Sequence, residues 1–462
     1  MREDWVETYL PNVCDILDNL RKPINTIERK KRIIGKPKSE LYPYYGATGQ
    51  VGYIDDYLTD GEYVLIGEDG APFLDYTKPV AYMIKGKTWV NNHAHILKSF
   101  FNNDYLLHYL NQFQYRDFVT GTTRLKLTQG ALKRMSIKLA PLPEQRAIVT
   151  KIENLFASLD KGIADLKKAQ DQLKVYRQAV LKKAFEGELT KEWREKNVKT
   201  DGRSSQEKNI TAIVAELEPE YKQINHKKNK FPEEWKLVKL SEITEHITDG
   251  DHQAPPKTKE GIPFITISNI DKKNNKIDFS STFYVKTDYY KNLNIKRVPH
   301  KGDILYTVTG SFGIPVLIDF DKKFCFQRHI GLIRPKKDIN QDWLFHLLKT
   351  QLVYGQASEK ATGTAQKTVA LSTLRNIQIP FCSNEEQHQI VREIESRLSV
   401  CDNIEQSITE GLQRSEALRQ SILKKAFEGK LLSEAEIEKC KQEADYEPAS
   451  VLLERIKKEK KK

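Results

Sequence analysis

Leu181-Lys182-Lys183-Ala184-Phe185-Glu186-Gly187 recurs letter for letter as Leu423 to Gly429. At the same offset Glu144-Gln145 recurs as Glu386-Gln387, Arg177-Gln178 as Arg419-Gln420, and Thr120-Gly121-Thr122 as Thr362-Gly363-Thr364. Residues 144–187 and 386–429 therefore read as two gapless copies of one long helix, and an internal repeat settles architecture before any other feature does. Pro143 suits a helix start, and Gly187 and Gly429 suit helix ends. The absence of insertion or deletion in either copy marks helix length itself as a constrained quantity.

Every seventh residue of the first copy is apolar: Ile152, Leu159, Leu166, Leu173 and Val180. The second copy keeps the register more loosely with Ile394, Cys401, Ile408, Ser415 and Ile422, flanked by Leu398, Ile404, Leu412 and Leu418. A seven-residue stripe reads as a coiled-coil seam. Ordinary core packing is the plainer account of such a stripe. Two matched rods in one chain point instead to antiparallel pairing, with a globular unit at each end. At 1.5 Å per residue each rod is roughly 65 Å long, close to two turns of B-DNA at roughly 34 Å each. Gly162, Gly411 and Ser415 lie in or beside the stripe and predict close approach or imperfect packing there.

The repeat extends beyond the rods, since Trp5…Leu10 matches Trp235…Leu240. The predicted partition is a globular unit over 1–143, a spacer helix over 144–187, a connector over 188–230, a second unit over 231–385, a second helix over 386–429 and a tail over 430–462. The tail stretch Ala449 to Ile456 resembles Thr211 to Leu217, which leads into Trp235. The C-terminus is thus expected beside the N-terminus, giving a pseudo-twofold molecule with two equivalent faces for two equivalent partners.

Both globular units read as α/β mixtures with short strands. The first shows them at 63–66, 80–84 and 137–139, and the second at 264–267, 303–308, 315–318 and 377–379. An amphipathic helix over 104–110 parallels another over 342–348. The fold class is α/β: two globular domains separated by two long antiparallel coiled-coil helices in a pseudo-twofold internal repeat.

The formal net charge of +12 is concentrated in the globular units. Residues 21–142 carry 18 Lys and Arg against 11 Asp and Glu, and residues 235–380 carry 22 against 14. Two matched basic units fit phosphate-facing surfaces, although solvated lysine gives the same count. The loops add groups suited to DNA. In the first unit these are Tyr44, Tyr45, Thr48, Asn92, His93, Thr122, Thr123, Arg124 and Lys126. In the second they are Thr307, Thr309, Ser311, Gln327, Arg328, His329, Thr364, Gln366 and Lys367. Arg pairs bidentately with guanine, Asn and Gln pair with adenine, and hydroxyls and Lys hold phosphate. Each of these residues has a turn or capping role as its alternative.

Catalytic signatures do not appear. There is no phosphate-binding Gly-x-Gly-x-x-Gly after a strand and no Walker motif. Gly67-Glu68-Asp69-Gly70 is too acidic and short to cradle a phosphate. His93-Ala94-His95 offers two nitrogens without a third ligand, a spacing more typical of structural histidines. Ala254-Pro255-Pro256-Lys257 does not match the Asn-Pro-Pro-Phe type of adenine methyltransferase motif. The five cysteines are scattered, which argues against disulfides and structural zinc. With no stretch of about 18 apolar residues and no signal-peptide pattern at Met1-Arg2-Glu3-Asp4, the chain reads as cytoplasmic, with no membrane partner.

Two divergent units, each followed by a fixed-length helix that ends Leu-Lys-Lys-Ala-Phe-Glu-Gly, with Pro141-Leu142-Pro143-Glu144-Gln145 at the first helix start, resemble the specificity subunit of type I restriction-modification systems. The second copy departs at Cys382-Ser383-Asn384-Glu385, where the prolines are missing. The resemblance implies that each unit is a target recognition domain reading one half of a bipartite asymmetric site in double-stranded DNA. It implies that the helices set the unread spacer and dock two methyltransferase subunits, which restriction/translocase subunits join. It further implies a non-catalytic chain without a cofactor, with S-adenosylmethionine, ATP and Mg held by the partners, for N6-adenine methylation and ATP-dependent cleavage. Two other readings compete: a coiled-coil scaffold whose units bind proteins, and a self-sufficient nuclease or methyltransferase with a diverged motif.

Overall fold

The computed structural model describes residues 2–198, 231–253, 255–364 and 366–461. The Thr211 to Leu217 stretch matched above to the tail lies outside them. The chain divides into two compact units, one of Met1–Lys168 with Ile408–Lys462 and the other of Ala169–Ser407. Two 44-residue helices, Leu142–Phe185 and Asn384–Phe427, each contribute to both units. Both stop before a glycine in the left-handed region, Gly187 at φ 78° and Gly429 at φ 72°, the conformation that ends a helix with least strain.

In unit 1 a six-stranded sheet has the spatial order Cys14–Ile16, Ala94–Ser99, Thr59–Gly67, Ala81–Val90, Tyr42–Gly46, Gly49–Ile54. Its pairings are antiparallel except the one between Tyr42–Gly46 and Ala81–Val90. In unit 2 a four-stranded antiparallel sheet runs Thr244–Asp249, Ile330–Pro335, Ile304–Thr307, Pro315–Leu317, beside a three-stranded one of Phe283–Val285, Ile262–Ile265, Cys325–Phe326. The joint to the helix is the same in each. Val6–Tyr9 pairs antiparallel with Ser136–Leu139 just before the first long helix, and Lys236–Lys239 pairs with Gln378–Phe381 just before the second.

The duplicated dipeptides sit at that joint. Trp5 Nε1 donates to Glu144 Oε2 at 2.9 Å, and Trp235 Nε1 donates to Glu386 Oε2 at 2.8 Å. Gln145 accepts from the Asn102 backbone at 3.1 Å and donates to the Ala140 carbonyl; Gln387 does the same with Asn340 at 3.0 Å and Cys382. All four side chains are buried, where an unmade hydrogen bond is expensive, so the pairs are retained as structural keys. The exact heptapeptide repeat has an equally physical basis. Leu181, Ala184 and Phe185 are buried in the unit 2 core, with Phe185 against Trp343. Leu423, Ala426 and Phe427 are buried in the unit 1 core, with Phe427 against Tyr105 and Tyr109.

Within each unit the two helix segments run antiparallel. In unit 1 Arg419 pairs with Asp160 and lies over the Phe156 ring, while Gly411 faces Leu166. In unit 2 Arg177 pairs with Asp402 at 2.7 Å and Glu405 at 3.0 Å. Arg177 and Arg419, like Asp160 and Asp402, are equivalent under the repeat, so the ion pairs are reciprocal. Ile152, Val180, Ile394, Ile408 and Ile422 are buried on the seam, and Leu159, Leu166, Leu173 and Leu412 are half-buried. Leu418 corrects the expected seam, being 49% exposed, as is Ile404 at 43%. The second seam row lies four residues after the first, not three, and so passes through Leu398, Glu405, Leu412 and Arg419. Gly411 lets Leu166 approach closely, whereas Gly162 faces open space.

The tail helix Ala449–Glu459 buries Ala449, Leu452, Leu453 and Ile456 in the unit 1 core. The Ala449 amide donates to the Asp4 carbonyl and Lys460 Nζ to those of Pro11 and Cys14. The C-terminal segment therefore does lie against the N-terminal one. Among the described residues no helix is long and apolar enough to cross a membrane.

Candidate nucleic-acid interface

The duplicated Thr-Gly-Thr opens the same small hairpin in each unit. Thr120 pairs with Lys126, and Thr362 bridges Thr368. Gly121 at φ 94° and Gly363 at φ 106° make the turn, and a Cβ there would lie 2.5 Å from the Arg124 carbonyl oxygen or 2.3 Å from that of Gln366. Only glycine fits both the dihedral and the space. The turn exposes Thr122, Thr123 and Arg124 in unit 1, and Thr364, Gln366 and Lys367 in unit 2.

Both hairpins rest on one hydrogen-bond frame. In unit 1 the Leu127 amide donates to the Glu68 carbonyl at 2.6 Å, the Gly70 amide to Leu125 at 2.9 Å, and the Glu68 amide to the His93 carbonyl at 2.7 Å. In unit 2 the Val369 amide donates to Val308 at 2.8 Å, the Gly310 amide to Lys367 at 2.9 Å, and the Val308 amide to His329 at 2.9 Å. The frame gathers loops that are distant in sequence. In unit 1 it brings Asn92 and His93, the Tyr45 to Thr48 turn and the hairpin to one end of the sheet; the Asn91 amide donates to the Tyr45 carbonyl, and Ala47 abuts Gly67. In unit 2 it brings together Thr309, Ser311, the Gln327-Arg328-His329 turn and the hairpin. Thr48, Asn92, Arg124, Lys126, Ser311, Arg328, Thr364, Gln366 and Lys367 are exposed, while Tyr45, His93, Gln327 and His329 are half-buried. Thr309 is 8% exposed and bridges Thr368.

Three predicted contact residues are corrected, the buried Thr309 among them. Tyr44 is 5% exposed, because it lies in the strand Tyr42–Gly46 with its side chain on the core side; Ile54 and Trp89 pack on it, and Arg29 covers the ring. Thr307 is 1% exposed, and its hydroxyl closes the following turn by donating to the Ser311 carbonyl and accepting from the Ile314 amide.

The acidic turn dismissed as a phosphate cradle is the anchor of the unit 1 surface. Glu68 pairs with Arg21 at 2.5 Å and Lys126 at 3.1 Å, and Asp69 pairs with His93 at 2.6 Å and Arg124 at 3.2 Å. Burial pushes the Glu68 carboxyl up, but hydrogen bonds from Arg21 and Lys126 outweigh it and hold the group below the usual range. These carboxylates pair with the exposed Arg124 and Lys126 side chains of the hairpin. Burial and the neighbouring Arg328 charge both push the His329 imidazole down, favouring its neutral form. The unit 1 surface thus carries exposed Lys, Arg, Asn and Thr donors and the unit 2 surface exposed Lys, Arg, Gln, Ser and Thr donors, the equipment for base edges and phosphates. The residues most visible in sequence were the exposed ones. Glu68 and Asp69 were missed because a carboxylate repels the phosphate backbone and so does not by itself mark a DNA-facing surface, and the signal for them was their place opposite Val308 and Thr309 in the repeat.

Comparison with known proteins agrees with this duplicated arrangement. The profile of the type I restriction modification DNA specificity domain matches residues 2–168 and 232–414. The type I restriction enzyme EcoBI specificity subunit of Escherichia coli is 29% identical over 348 residues, 74% of this chain and 68% of that protein. A putative type I restriction enzyme specificity subunit of Haemophilus influenzae is 27% identical over 407 residues, covering 87% and 89%. Among solved structures, a chain from work on assembly and conformational transition of the type I R-M system superposes with a TM-score of 0.61 at 18% identity, covering 93% and 99%. The HsdS subunit from Thermoanaerobacter tengcongensis superposes with a TM-score of 0.53 at 18% identity, covering 93% and 98%. With both halves matched and the same joint, helix and hairpin built twice, the chain belongs to the type I restriction-modification DNA specificity family, whose members are non-catalytic DNA recognition subunits.

Proposed function

We propose that the chain reads a bipartite asymmetric target in double-stranded DNA, one half-site per unit, and directs partner subunits to it. The recognition domains are placed at 1–143 and 231–385, the spacer helices at 144–187 and 386–429, the connector at 188–230 and the connector-like tail at 430–462. Two methyltransferase subunits carry S-adenosylmethionine and modify adenine N6. Restriction/translocase subunits carry ATP and Mg and cleave. The target adenine must leave the base stack to reach a partner's pocket, so the register this chain sets on the duplex selects which adenine is taken. The observation that carries the reading is the pair of hairpins: one backbone frame built twice, with Thr122-Thr123-Arg124 on one turn and Thr364, Gln366 and Lys367 on the other. A shared frame with different side chains is what two different half-sites require.

Co-expression with its methyltransferase in a methylation-free host, followed by long-read mapping of N6-methyladenine, tests this. A two-part motif with a fixed gap is expected. A verified assembled complex that leaves no modified motif would overturn it in favour of a protein-binding scaffold.

A further inference from the structure

We infer that His95 is a buried imidazolium that positions the unit 1 hairpin and thereby sets base discrimination at the first half-site, a role without a counterpart in unit 2. This rests on the reading of the hairpins as DNA-contacting elements.

The ring of His95 is fully buried. Its Nδ1 lies 2.7 Å from Asp18 Oδ2 and its Nε2 lies 2.9 Å from the Leu127 carbonyl oxygen. A carboxylate and a carbonyl only accept, and a neutral imidazole has one donor and one acceptor nitrogen. Either neutral tautomer would aim a lone pair at one of the two oxygens. Only the doubly protonated ring satisfies both, and a buried charge is tolerated where it is paired. The surroundings supply the pairing. Asp18 also takes Arg21 at 3.0 Å and Gln129 at 3.0 Å, and Glu68, 3.9 Å from Nε2, is held by Arg21 and Lys126.

Leu127 is where this network grips the hairpin. Its amide is fixed by the Glu68 carbonyl and its own carbonyl by His95, so both backbone groups at the base of the hairpin are tied to the sheet. The turn bearing Thr122, Thr123 and Arg124 projects from that base. The equivalent ladder position in unit 2 carries no side chain. Where His95 stands opposite Ile66 in the ladder, Gly331 stands opposite Tyr306. A Cβ at Gly331 would meet the Val308 and Leu374 side chains at 3.5 and 3.6 Å and the Thr248 carbonyl oxygen at 3.6 Å, so the room the imidazole takes in unit 1 is closed in unit 2 by two apolar side chains and backbone. The distinction between the half-sites therefore reaches below the contact residues into how each hairpin is held.

Two measurements test this. In the full chain labelled with 15N-histidine, long-range proton–nitrogen spectra at neutral pH should show His95, assigned by loss of its signals in His95→Gln, with both nitrogens protonated; a neutral tautomer would overturn the inference without any variant having to fold. In the assembled methyltransferase complex, His95→Asn keeps a donor toward Asp18 but is too short to reach Leu127. It should relax discrimination against single-base changes in the first half-site by about tenfold, the order expected for one charged hydrogen bond, and leave second-half discrimination unchanged. Unchanged first-half discrimination, or an equal loss at both halves, sinks the positioning role. Failure of the unsubstituted complex to discriminate at either half would instead overturn the DNA-reading function itself.

Discussion

The duplicated glutamates show how one residue can be kept twice and yet be held unequally. Glu386 is bound by Trp235, by the Thr190 hydroxyl at 2.7 Å and by Arg194 at 2.5 Å. Glu144 has Trp5 and an Arg2 guanidinium at 3.7 Å, and among the described residues its Oε1 has no hydrogen-bond partner. Removing one member of a buried, satisfied charge pair costs about 3–5 kcal/mol, because the partner charge is left stranded. Glu386→Ala is therefore expected to lower unit 2 stability by that order, and Glu144→Ala to cost clearly less in unit 1; thermal unfolding of the two variants side by side checks the ranking. His346 makes a second prediction. Burial, reinforced by Lys349, pushes its imidazole down to about 4. The unfolded chain binds a proton below its ordinary value of about 6.5 while the folded chain does not, so stability is present above that pH and is lost as pH falls toward about 4, by at most ~3 kcal/mol. His346→Leu should flatten this acid limb in a pH series of urea denaturation curves, and an unchanged slope would refute the assignment.

At the scale of elements, what was legible in the sequence tracked how strictly the physics constrains residue type. The long helices were legible because an uninterrupted repeat admits little else, and the seam's first row because a period of seven is hard to mimic. The second row was misread at Ile404 and Leu418, since apolar type suggested them while Glu405 and Arg419 occupy the seam as ion-pairing residues. Tyr44 and Thr307 were misplaced for a related reason: burial in a strand is decided by parity and by where the strand ends, neither of which residue type reveals. The heptapeptide carries a sharper expectation. Phe185 belongs to the first long helix but to the unit 2 core, and Phe427 belongs to the second helix but to the unit 1 core. Truncating a buried Phe costs about 3–5 kcal/mol. Phe185→Ala should therefore deprotect unit 2 amides to hydrogen exchange and Phe427→Ala those of unit 1, so protection lost in the opposite units would contradict the packing.

For the whole molecule, charge and length are the quantities that the duplication holds in common. Matched basic units that neutralise phosphates release counterions on binding, so the logarithm of the affinity should fall linearly with that of salt concentration, at a slope of roughly −0.9 per phosphate contacted. A flat response of the assembled complex would count against two phosphate-facing surfaces. Length makes the more exacting demand. Both long helices have 44 residues, and a gapless repeat with buried keys at its start and a buried Phe at its end leaves no slack in which a residue could be gained silently. If those lengths set the unread gap between half-sites, an insertion of four residues, about one helical turn or roughly 6 Å, made in both helices at Gly162 and the equivalent Ile404, should change the gap in the methylated motif and leave the bases of each half-site as they were. Both positions are off the seam, one at open space and the other 43% exposed, so the alteration begins where packing has least to lose. A complex that assembles and methylates with its original gap would show that helix length is fixed for packing alone and that spacing is determined elsewhere.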